Sequence, residues 1–258
     1  MSAIKTNGLI LKHINMNDND RLFTIFCPQY GKMSVLSKGI RSHKHKDFSA
    51  LQPFCYSEFV IDTSKGLGYV SSAQIIENFF DLRKSVEKMS LASYITDLVS
   101  FMADEIIYDD DFFRFTLNTL FMIAKANDTK ESTLVEELLR LKAIYELKAV
   151  DVAGYMPQLS SCITCGSAKE LNYFDIYNGG AVCSACAESG RAVEIAKASK
   201  PALDMMSYIC VSDSKRCFSF KSSSDAVSEM GFVTEAYLVN KLEFVSARLE
   251  YFKNIIKS

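Results

Sequence analysis

The sequence lacks any apolar run of the roughly 18 residues that a membrane-spanning helix needs. It also shows no N-terminal apolar segment followed by a small-residue cleavage site, so we expect no secretory signal. These two absences predict a soluble, cytoplasmic protein with no membrane partner. Eight cysteines in such a reducing compartment are not expected to form a disulfide framework.

The sequence is poor in the residue patterns that catalysis requires. Its three histidines are His13, His43 and His45, which excludes a histidine-dependent centre elsewhere in the chain. No phosphate-binding loop of the form GxxxxGK[ST] occurs. The carboxylates of Asp18 and Asp20 offer ligands to a magnesium ion, as in a nuclease, although they are also typical of a solvated turn. We therefore predict that the protein is not an enzyme, with a metal-dependent nuclease as an alternative.

Positive charge is concentrated near the beginning of the chain. The formal net charge is −2, yet residues 1–80 hold nine basic and six acidic residues, against 20 and 25 in the remainder. This asymmetry predicts a basic module attached to an acidic one. The segment SKGIRSHKHKDF (37–48) alone contains four fixed cations: Lys38, Arg41, Lys44 and Lys46.

Residues 1–80 show the pattern of short β-strands. LFTIFC (22–27) and KMSVLS (32–37) flank the turn PQYG, which predicts a hairpin. FCYSEFVID (54–62) alternates apolar and polar residues, YVSSAQII (69–76) continues as a strand, and GLILKH supplies a fifth. Five short strands without a long helix predict an OB-fold β-barrel as the first domain.

After residue 80 the apolar residues recur with a helical period. Predicted helices cover residues 91–106 and 111–126, and a third begins at TLVE (133–136), which fits a capping box, and ends before Gly154. A further helix is predicted over 201–211. The segment TEAYLVNKLEFVSARLEYFKNI (234–255) is predicted to form one long amphipathic element that packs onto the earlier helices. We therefore expect the first part of a helical domain over residues 81–157, and C-terminal helices over residues 191–258 that pack on it.

Between these helical segments lie two cysteine pairs, which are Cys162, Cys165, Cys183 and Cys186. Each pair has two intervening residues, and 17 residues separate the pairs, which fits a tetrathiolate zinc site. Two residues between thiolates allow one tight turn to place both sulfurs about 2.3 Å from the ion. We therefore predict a zinc ribbon over residues 158–190 that holds structural Zn²⁺, with a metal-free pair of motifs and a redox dithiol as alternatives. The fold class is α+β and multidomain.

The basic segment suggests contact with nucleic acid. Cations on the loop of a small barrel can follow a phosphate backbone while aromatic side chains stack on bases. Phe48, Phe54 and Tyr56 are the aromatic candidates nearest in sequence. A solvated loop without any partner is the alternative.

Three stretches of this region resemble the RecO family of bacterial recombination and repair mediators. They are NGLILKHINMNDNDRLFTIF (7–26), YGKMSVLSKGIRS (30–42) and FSALQPF (48–54). The order of OB-fold, helices, four-cysteine module and C-terminal helices is also similar. The resemblance implies binding to single- and double-stranded DNA, annealing of complementary strands, and loading of RecA, with RecR, onto strands coated by single-stranded DNA-binding protein (SSB). It implies zinc as the sole cofactor, and it places DNA contacts at Lys38, Arg41, Lys44, Lys46 and Arg21.

The acidic helical part is better suited to protein contacts than to DNA. A groove there would accept the acidic tail of SSB if it carried a local basic patch, for which the candidates are Arg83, Lys84 and Lys88, or Lys241 and Arg248. The competing hypothesis is a zinc-ribbon adaptor that binds only proteins, in which case the basic loop has no role. DNA affinity separates the two hypotheses.

Overall fold

The computed structural model describes residues 3–64, 66–103, 109–129, 132–220 and 223–257. Two compact units divide the chain, Met1–Ala124 and Lys125–Ser258. The first unit contains a β-barrel and two helices, and the second contains a small sheet and the remaining helices.

Five strands close into a barrel in the first unit. They are β1 (Ala3–Asn15), β2 (Arg21–Cys27), β3 (Gly31–Ser37), β4 (Tyr56–Asp62) and β5 (Gly68–Glu77). Their order is β1-β2-β3-β5-β4, with β4 pairing back onto β1. Neighbouring strands are antiparallel except for β3 and β5, which are parallel. This five-stranded barrel confirms the predicted OB-fold.

The barrel forms because its strands alternate between inward apolar and outward polar side chains. In β4 every second residue is buried, including Phe59 and Ile61. Phe23, Ile25 and Val35 from the β2–β3 hairpin fill the same core. The hairpin turns at Gly31, whose φ of 63° lies in the left-handed region that glycine favours. The hairpin predicted from PQYG is therefore confirmed.

Two helices complete the first unit, α1 (Val86–Met102) and α2 (Asp110–Lys125). Ser85 caps α1 by accepting the Lys88 N–H. Ile106, which the predicted stripe included, lies outside the described residues. Contacts group both helices with the barrel, whereas the sequence assigned them to a helical domain over residues 81–157. This grouping by contacts does not test where the domains begin and end, so the predicted domain boundaries stay a prediction.

The second unit is built around α3 (Leu134–Val152), which packs against α6 (Ser224–Leu242). The predicted capping box is present, since Thr133 accepts the Glu136 N–H and the Glu136 carboxylate accepts the Thr133 N–H. α3 is followed by Gly154, with a φ of 88°. α5 (Lys200–Val211) has a proline in its first turn, as the sequence predicts.

The prediction of one continuous helix over residues 234–255 is wrong. α6 ends at Leu242, and a separate α7 (Ala247–Ile255) follows. Glu243 takes a left-handed φ of 52°, which stops the helix, and Phe244 turns into the core with 8% of its surface exposed. Ser246 then caps α7 by accepting the Arg248 N–H. The amphipathic pattern persists through the break, so periodicity alone did not indicate it.

A network of charges connects α3, α6 and α7. The ammonium of Lys142, 3% exposed, lies 2.8 Å from the Glu146 carboxylate and 2.7 Å from that of Glu235. Thr234 donates its hydroxyl proton to Glu146 at 3.0 Å. Lys253 lies 2.8 Å from the second oxygen of Glu235. Each buried charge thus has an opposite charge beside it, as burial demands.

A three-stranded sheet carries the paired cysteines. It consists of β6 (Leu171–Asp175), β7 (Gly180–Cys183) and β8 (Ile195–Lys197), in the order β7-β6-β8. The short helix α4 (Ser184–Glu188) follows β7. β8 lies beyond residue 190, so the sheet extends past the predicted module. We call residues 158–197 the cysteine ribbon.

Candidate nucleic-acid interface and metal centre

The predicted cations lie beside the shortest strand pairing of the barrel. β3 and β5 pair only at Val35 with Gly68 and Leu36 with Tyr69 among the described residues. The connection from β3 to β4 crosses the gap beyond these pairs. We call residues 38–46 of this connection the basic loop. Its Lys46 ammonium donates to the Ser71 carbonyl of β5 at 3.3 Å.

Just after the basic loop, Asp47 attaches the connection to the barrel. Asp47 is 5% exposed, and its carboxylate accepts the N–H of Ala73 in β5 at 3.1 Å. The carboxylate therefore replaces a missing strand partner, which satisfies a backbone N–H group that would otherwise be unpaired. The basic loop is thus held against the barrel.

All four cations of the basic loop are exposed: Lys38, Arg41, Lys44 and Lys46. Arg21 is half-buried at the start of β2, where it pairs in register with Ser37, the residue before the loop. Its Nε donates to Asn15 Oδ1 at 3.0 Å. The structure therefore brings the fifth predicted residue beside the other four at one end of the barrel.

The aromatic candidates separate into different environments. Phe54 is 5% exposed and belongs to the interior, so it is not available to stack on bases. Tyr56 is half-buried, with its ring 5.7 Å from that of Phe113. Phe48 is half-buried beside His43, with ring centroids 4.7 Å apart.

Sequence reasoning missed Tyr69. It is half-buried on β5, and the Lys38 ammonium lies 5.3 Å from its ring centroid. Tyr69 is distant from the basic loop in sequence, and only the parallel pairing of β3 with β5 brings it there. This contact between a cation and an aromatic ring, beside the basic loop, can be recognised only from the folded structure.

The four predicted metal ligands do come together. The sulfurs of Cys162, Cys165, Cys183 and Cys186 all lie within 4.8 Å of one another. Four sulfurs placed tetrahedrally about 2.3 Å from one ion lie about 3.8 Å apart. Cys165 Sγ and Cys183 Sγ are 3.7 Å apart, which fits this arrangement. The cluster is therefore able to hold a metal ion.

Backbone geometry shapes the first cysteine pair. Gly166 has a φ of 76° and donates its N–H to the Cys162 carbonyl at 2.8 Å, which closes the tight turn predicted from the sequence. Burial acts to raise the pKa of the Cys162 thiol. Backbone N–H groups that donate to its sulfur, first that of Cys183, outweigh burial and lower this pKa to about 6.

The second pair shows why a cation suits this cluster. Burial, followed by the neighbouring thiols, raises the pKa of Cys186 to about 12. Four thiols this close cannot all ionise without a positive charge between them, because like charges disfavour each other's ionisation. A divalent cation would supply that charge, so the donor set fits a metal with a preference for sulfur.

The hairpin that joins the two pairs is fixed by Asp175. Its carboxylate accepts the Asn178 N–H at 2.8 Å, the Asn178 side-chain amide at 3.0 Å and the Val193 N–H at 3.0 Å. Burial acts to raise the pKa of Asp175, but these hydrogen bonds outweigh it and lower the pKa below its usual range. The ionised carboxylate thus stabilises the turn that carries the second pair back to the first.

Both halves of the chain match known protein families. The N-terminal part matches the family model "Recombination protein O N terminal" over residues 1–79. The remainder matches "Recombination protein O C terminal" over residues 83–247. The chain belongs to the RecO family. The resemblance proposed from the sequence is therefore confirmed.

Individual relatives extend this match over nearly the full chain. The DNA repair protein RecO of Acetivibrio thermocellus is 32% identical over 256 residues, which cover 99% of this chain and 98% of that protein. The DNA repair protein RecO of Thermoanaerobacter sp. is 28% identical over 99% of both chains. The protein of the same name from Caldanaerobacter subterraneus subsp. tengcongensis is 33% identical over 73% of both.

Two other sequence expectations bear on this RecO-family chain. No helix among the described residues has the length and apolar character needed to cross a membrane. Among the same residues, the four cysteines are the group of at least three potential ligands that lie close enough together to hold a metal ion. Asp18 and Asp20 belong to no such group. The Asp20 carboxylate instead accepts the Gly39 N–H at 2.8 Å. This contact gives no support to a magnesium-dependent nuclease.

Proposed function

We propose that this RecO-family protein is a non-catalytic mediator of DNA repair and homologous recombination that acts in the cytoplasm at the nucleoid. It binds single- and double-stranded DNA, anneals complementary strands and, with RecR, helps to load RecA onto SSB-coated strands. One observation carries the DNA-binding part of the proposal. Four exposed cations lie on one loop of an OB-fold barrel, with Arg21 beside them.

The proposed DNA contact uses charge rather than base recognition. Lys38, Arg41, Lys44 and Lys46 would contact phosphates, with Arg21 at the edge of the same surface. Such contacts release bound counterions, so affinity should not depend on sequence and should fall steeply between about 50 and 200 mM salt. Phe48 and Tyr69 are the aromatic side chains placed to stack on bases.

Annealing follows from the same contacts. Two complementary strands repel one another through their phosphates, and a surface that neutralises part of this charge allows them to approach and pair. Base pairing then supplies the free energy, so the reaction needs no ATP. The protein's contribution is to hold both strands at one basic surface.

The cysteine ribbon is proposed to hold structural Zn²⁺ through Cys162, Cys165, Cys183 and Cys186. Zinc bound by four thiolates has no open coordination position, so it would stabilise the ribbon rather than take part in a reaction. The backbone N–H groups around Cys162 would help to keep its thiolate charged. Because the ligands must lose protons to bind, metal binding and folding of the ribbon are coupled.

Fewer of the predicted basic residues are available to bind the acidic tail of SSB than the sequence suggested. Lys88 is 5% exposed and donates to the Ala124 carbonyl at 2.9 Å, so it cannot contribute to a surface patch. A groove of about 490 Å³ between α6, α7 and the ribbon is lined by Phe232 and Val239. Its charged lining residues are Glu194, Glu235 and Lys253, and the Lys253 ammonium is already paired with Glu235, which disfavours an acidic ligand.

We therefore propose that SSB binds at Arg83 and Lys84 or at Lys241 and Arg248. The measurement is binding of labelled protein to SSB and to SSB without its tail. Binding that survives removal of the tail would contradict this part of the proposal.

The test of the DNA-binding proposal is annealing of two complementary labelled oligonucleotides without ATP, at low and moderate salt. Wild type is compared with a variant in which Lys38, Arg41, Lys44 and Lys46 are all replaced by alanine. We expect fast, salt-sensitive annealing that the variant loses. If wild type neither binds nor anneals DNA, the protein-only adaptor becomes the better hypothesis.

A further inference from the structure

The turn that joins β1 to β2 is closed by its own side chains. Asn17 Oδ1 accepts the N–H groups of Asn19 at 2.8 Å and Asp20 at 2.7 Å. The Asp20 carbonyl accepts the Met16 N–H at 3.1 Å. These bonds make the turn a fixed local structure, which we call the anchoring turn, residues 16–20.

The anchoring turn is bonded to the basic loop at three points. Asp20 Oδ1 accepts the Gly39 N–H at 2.8 Å. The Asn19 carbonyl accepts the Arg41 N–H at 3.1 Å, and the Asn17 carbonyl accepts the Arg41 guanidinium at 2.8 Å. The first half of the basic loop therefore takes its shape from a segment about 20 residues earlier in the chain.

Gly39 is the point at which the basic loop bends away from β3. Its φ of 67° lies in the left-handed region, and its N–H points to the Asp20 carboxylate. Lys38 and Arg41 lie on either side of this bend. The carboxylate thus holds the backbone at the bend between the two cations.

Charge and geometry make opposite predictions for Asp20. The hydrogen bonds from Asn17 and Gly39, and then the Lys38 charge, lower the pKa of Asp20, so its carboxylate is ionised at neutral pH. A negative charge beside a phosphate-binding loop repels phosphate, so its removal should strengthen DNA binding on electrostatic grounds alone. Loss of the bond to Gly39 should instead release the loop and weaken binding.

We infer that Asp20 is a positioning residue for DNA binding, whose hydrogen bond to Gly39 orients Lys38 and Arg41 toward phosphate and outweighs the repulsion from its own charge. The inference rests on the proposed function, because it assumes that the basic loop contacts DNA. Asp20 would not touch DNA itself. The basic loop would thus need this acidic residue in order to bind DNA tightly.

Asp18 provides a matched control on the same turn. Its carboxylate forms no hydrogen bond or ion pair with another described residue, and it is exposed. Asp18→Ala therefore removes one negative charge near the basic loop and leaves the bonds of the turn in place. Asp20→Ala removes the same charge together with the bond to Gly39 and the bond that the Asn17 side-chain amide donates to the carboxylate at 2.9 Å. Asp20→Asn removes the charge and keeps an oxygen that can accept the Gly39 N–H.

The experiment measures affinity for a labelled oligothymidine between about 50 and 200 mM salt. We expect Asp20→Ala to weaken binding roughly fivefold or more, and to lower the salt slope by about one for each phosphate that the basic loop no longer reaches. We expect Asp18→Ala to bind as tightly as wild type or more tightly. Asp20→Asn should recover most of the affinity that Asp20→Ala lacks.

A second readout needs no DNA. Amide hydrogen exchange, measured by NMR, should accelerate at Gly39 and Arg41 in Asp20→Ala and stay unchanged in Asp18→Ala. Unchanged exchange at Gly39 in Asp20→Ala would overturn the inference, because the loop would then not depend on the carboxylate.

The two proposals fail in different ways. If Asp20→Ala binds as tightly as wild type while the quadruple alanine variant loses binding, the positioning role is wrong and the proposed function stands. If the quadruple variant binds as wild type does, the proposed DNA surface is wrong and the positioning role falls with it.

Discussion

The basic loop and the cysteine ribbon both carry candidate functional side chains beside β-strands, yet they are held by different means. The basic loop is held by hydrogen bonds that it donates to the anchoring turn and to β5, and its cations stay exposed. The ribbon converges on four sulfurs, three of which are buried. In the ribbon the functional groups are themselves the structural link, whereas in the loop the cations stay exposed to a partner, even where they also contact the barrel or the anchoring turn.

This difference predicts opposite consequences of mutation. Changes in the cysteine ribbon should lower the free energy of unfolding of the second unit and leave the basic surface unaltered. Changes at the exposed cations should alter DNA affinity with little effect on stability, because surface substitutions usually change it by less than about 0.5 kcal/mol.

The largest expected effect is loss of the metal site. Cys183→Ser removes one thiolate, and zinc binding can supply on the order of 10 kcal/mol to the folding of a small module. We expect the variant to contain less than one zinc per chain and to unfold at lower temperature, as measured by elemental analysis and thermal denaturation. Added chelator should destabilise wild type in the same direction.

Cys217→Ala is the control for this change, because Cys217 is buried outside the cluster. It should keep one zinc per chain even if packing suffers. Equal zinc content in Cys183→Ser and wild type would contradict the proposed ligand set.

The next effect compares lysines that differ in burial. Lys142→Met leaves the fully buried Glu146 carboxylate without its ammonium partner, which costs about 3–5 kcal/mol. Lys38→Met removes an exposed ammonium from the basic loop and should change stability by less than about 0.5 kcal/mol. Urea denaturation of both variants gives the comparison. Similar losses in both would show that charge burial does not separate the two regions.

The same contrast explains what the sequence could predict. The metal ligands were identified because thiolate spacing is a local property, readable from Cys162 to Cys186 without knowledge of the fold. The barrel was predicted because strand alternation and turn residues are local as well. The cations of the basic loop were visible as a charge run.

The support of the basic loop was not predictable in this way. The bonds that Gly39 donates to Asp20 and Arg41 donates to the Asn17 carbonyl depend on how the barrel closes, and a sequence does not show which backbone carbonyls accept such bonds. Tyr69 reaches Lys38 for the same reason. The break at Glu243 was missed because apolar residues continue on both sides, and a left-handed residue other than glycine cannot be recognised from the sequence.

A smaller effect tests the packing of the cysteine ribbon. Gly180 pairs with Gln158, and a methyl group at this glycine would lie 2.8 Å from the Gln158 carbonyl oxygen and overlap Ile163. Gly180→Ala should therefore cost about 1–3 kcal/mol through overpacking. Gly231→Ala is the matched control, because it lies within α6 with open space around it.

Alanine at Gly231 should stabilise the helix by up to about 1 kcal/mol. Thermal denaturation of the two variants measures the difference. If Gly180→Ala is as stable as wild type, the close approach of the first cysteine pair to β7 is not needed for stability.

The smallest expected effect concerns a single cation of the basic loop. Lys44 is exposed, and its ammonium makes no hydrogen bond or ion pair with another described residue. Lys44→Ala should leave thermal stability unchanged and reduce the slope of log affinity for oligothymidine against log salt by about 0.7, the value for one phosphate contact on a single strand. Lys5→Ala is the control, since Lys5 is an exposed lysine near the start of β1 that pairs with Glu58 at 2.9 Å. An equal change of slope in both variants would mean that DNA binding depends on overall charge. It would contradict the proposal that the basic loop is the contact surface.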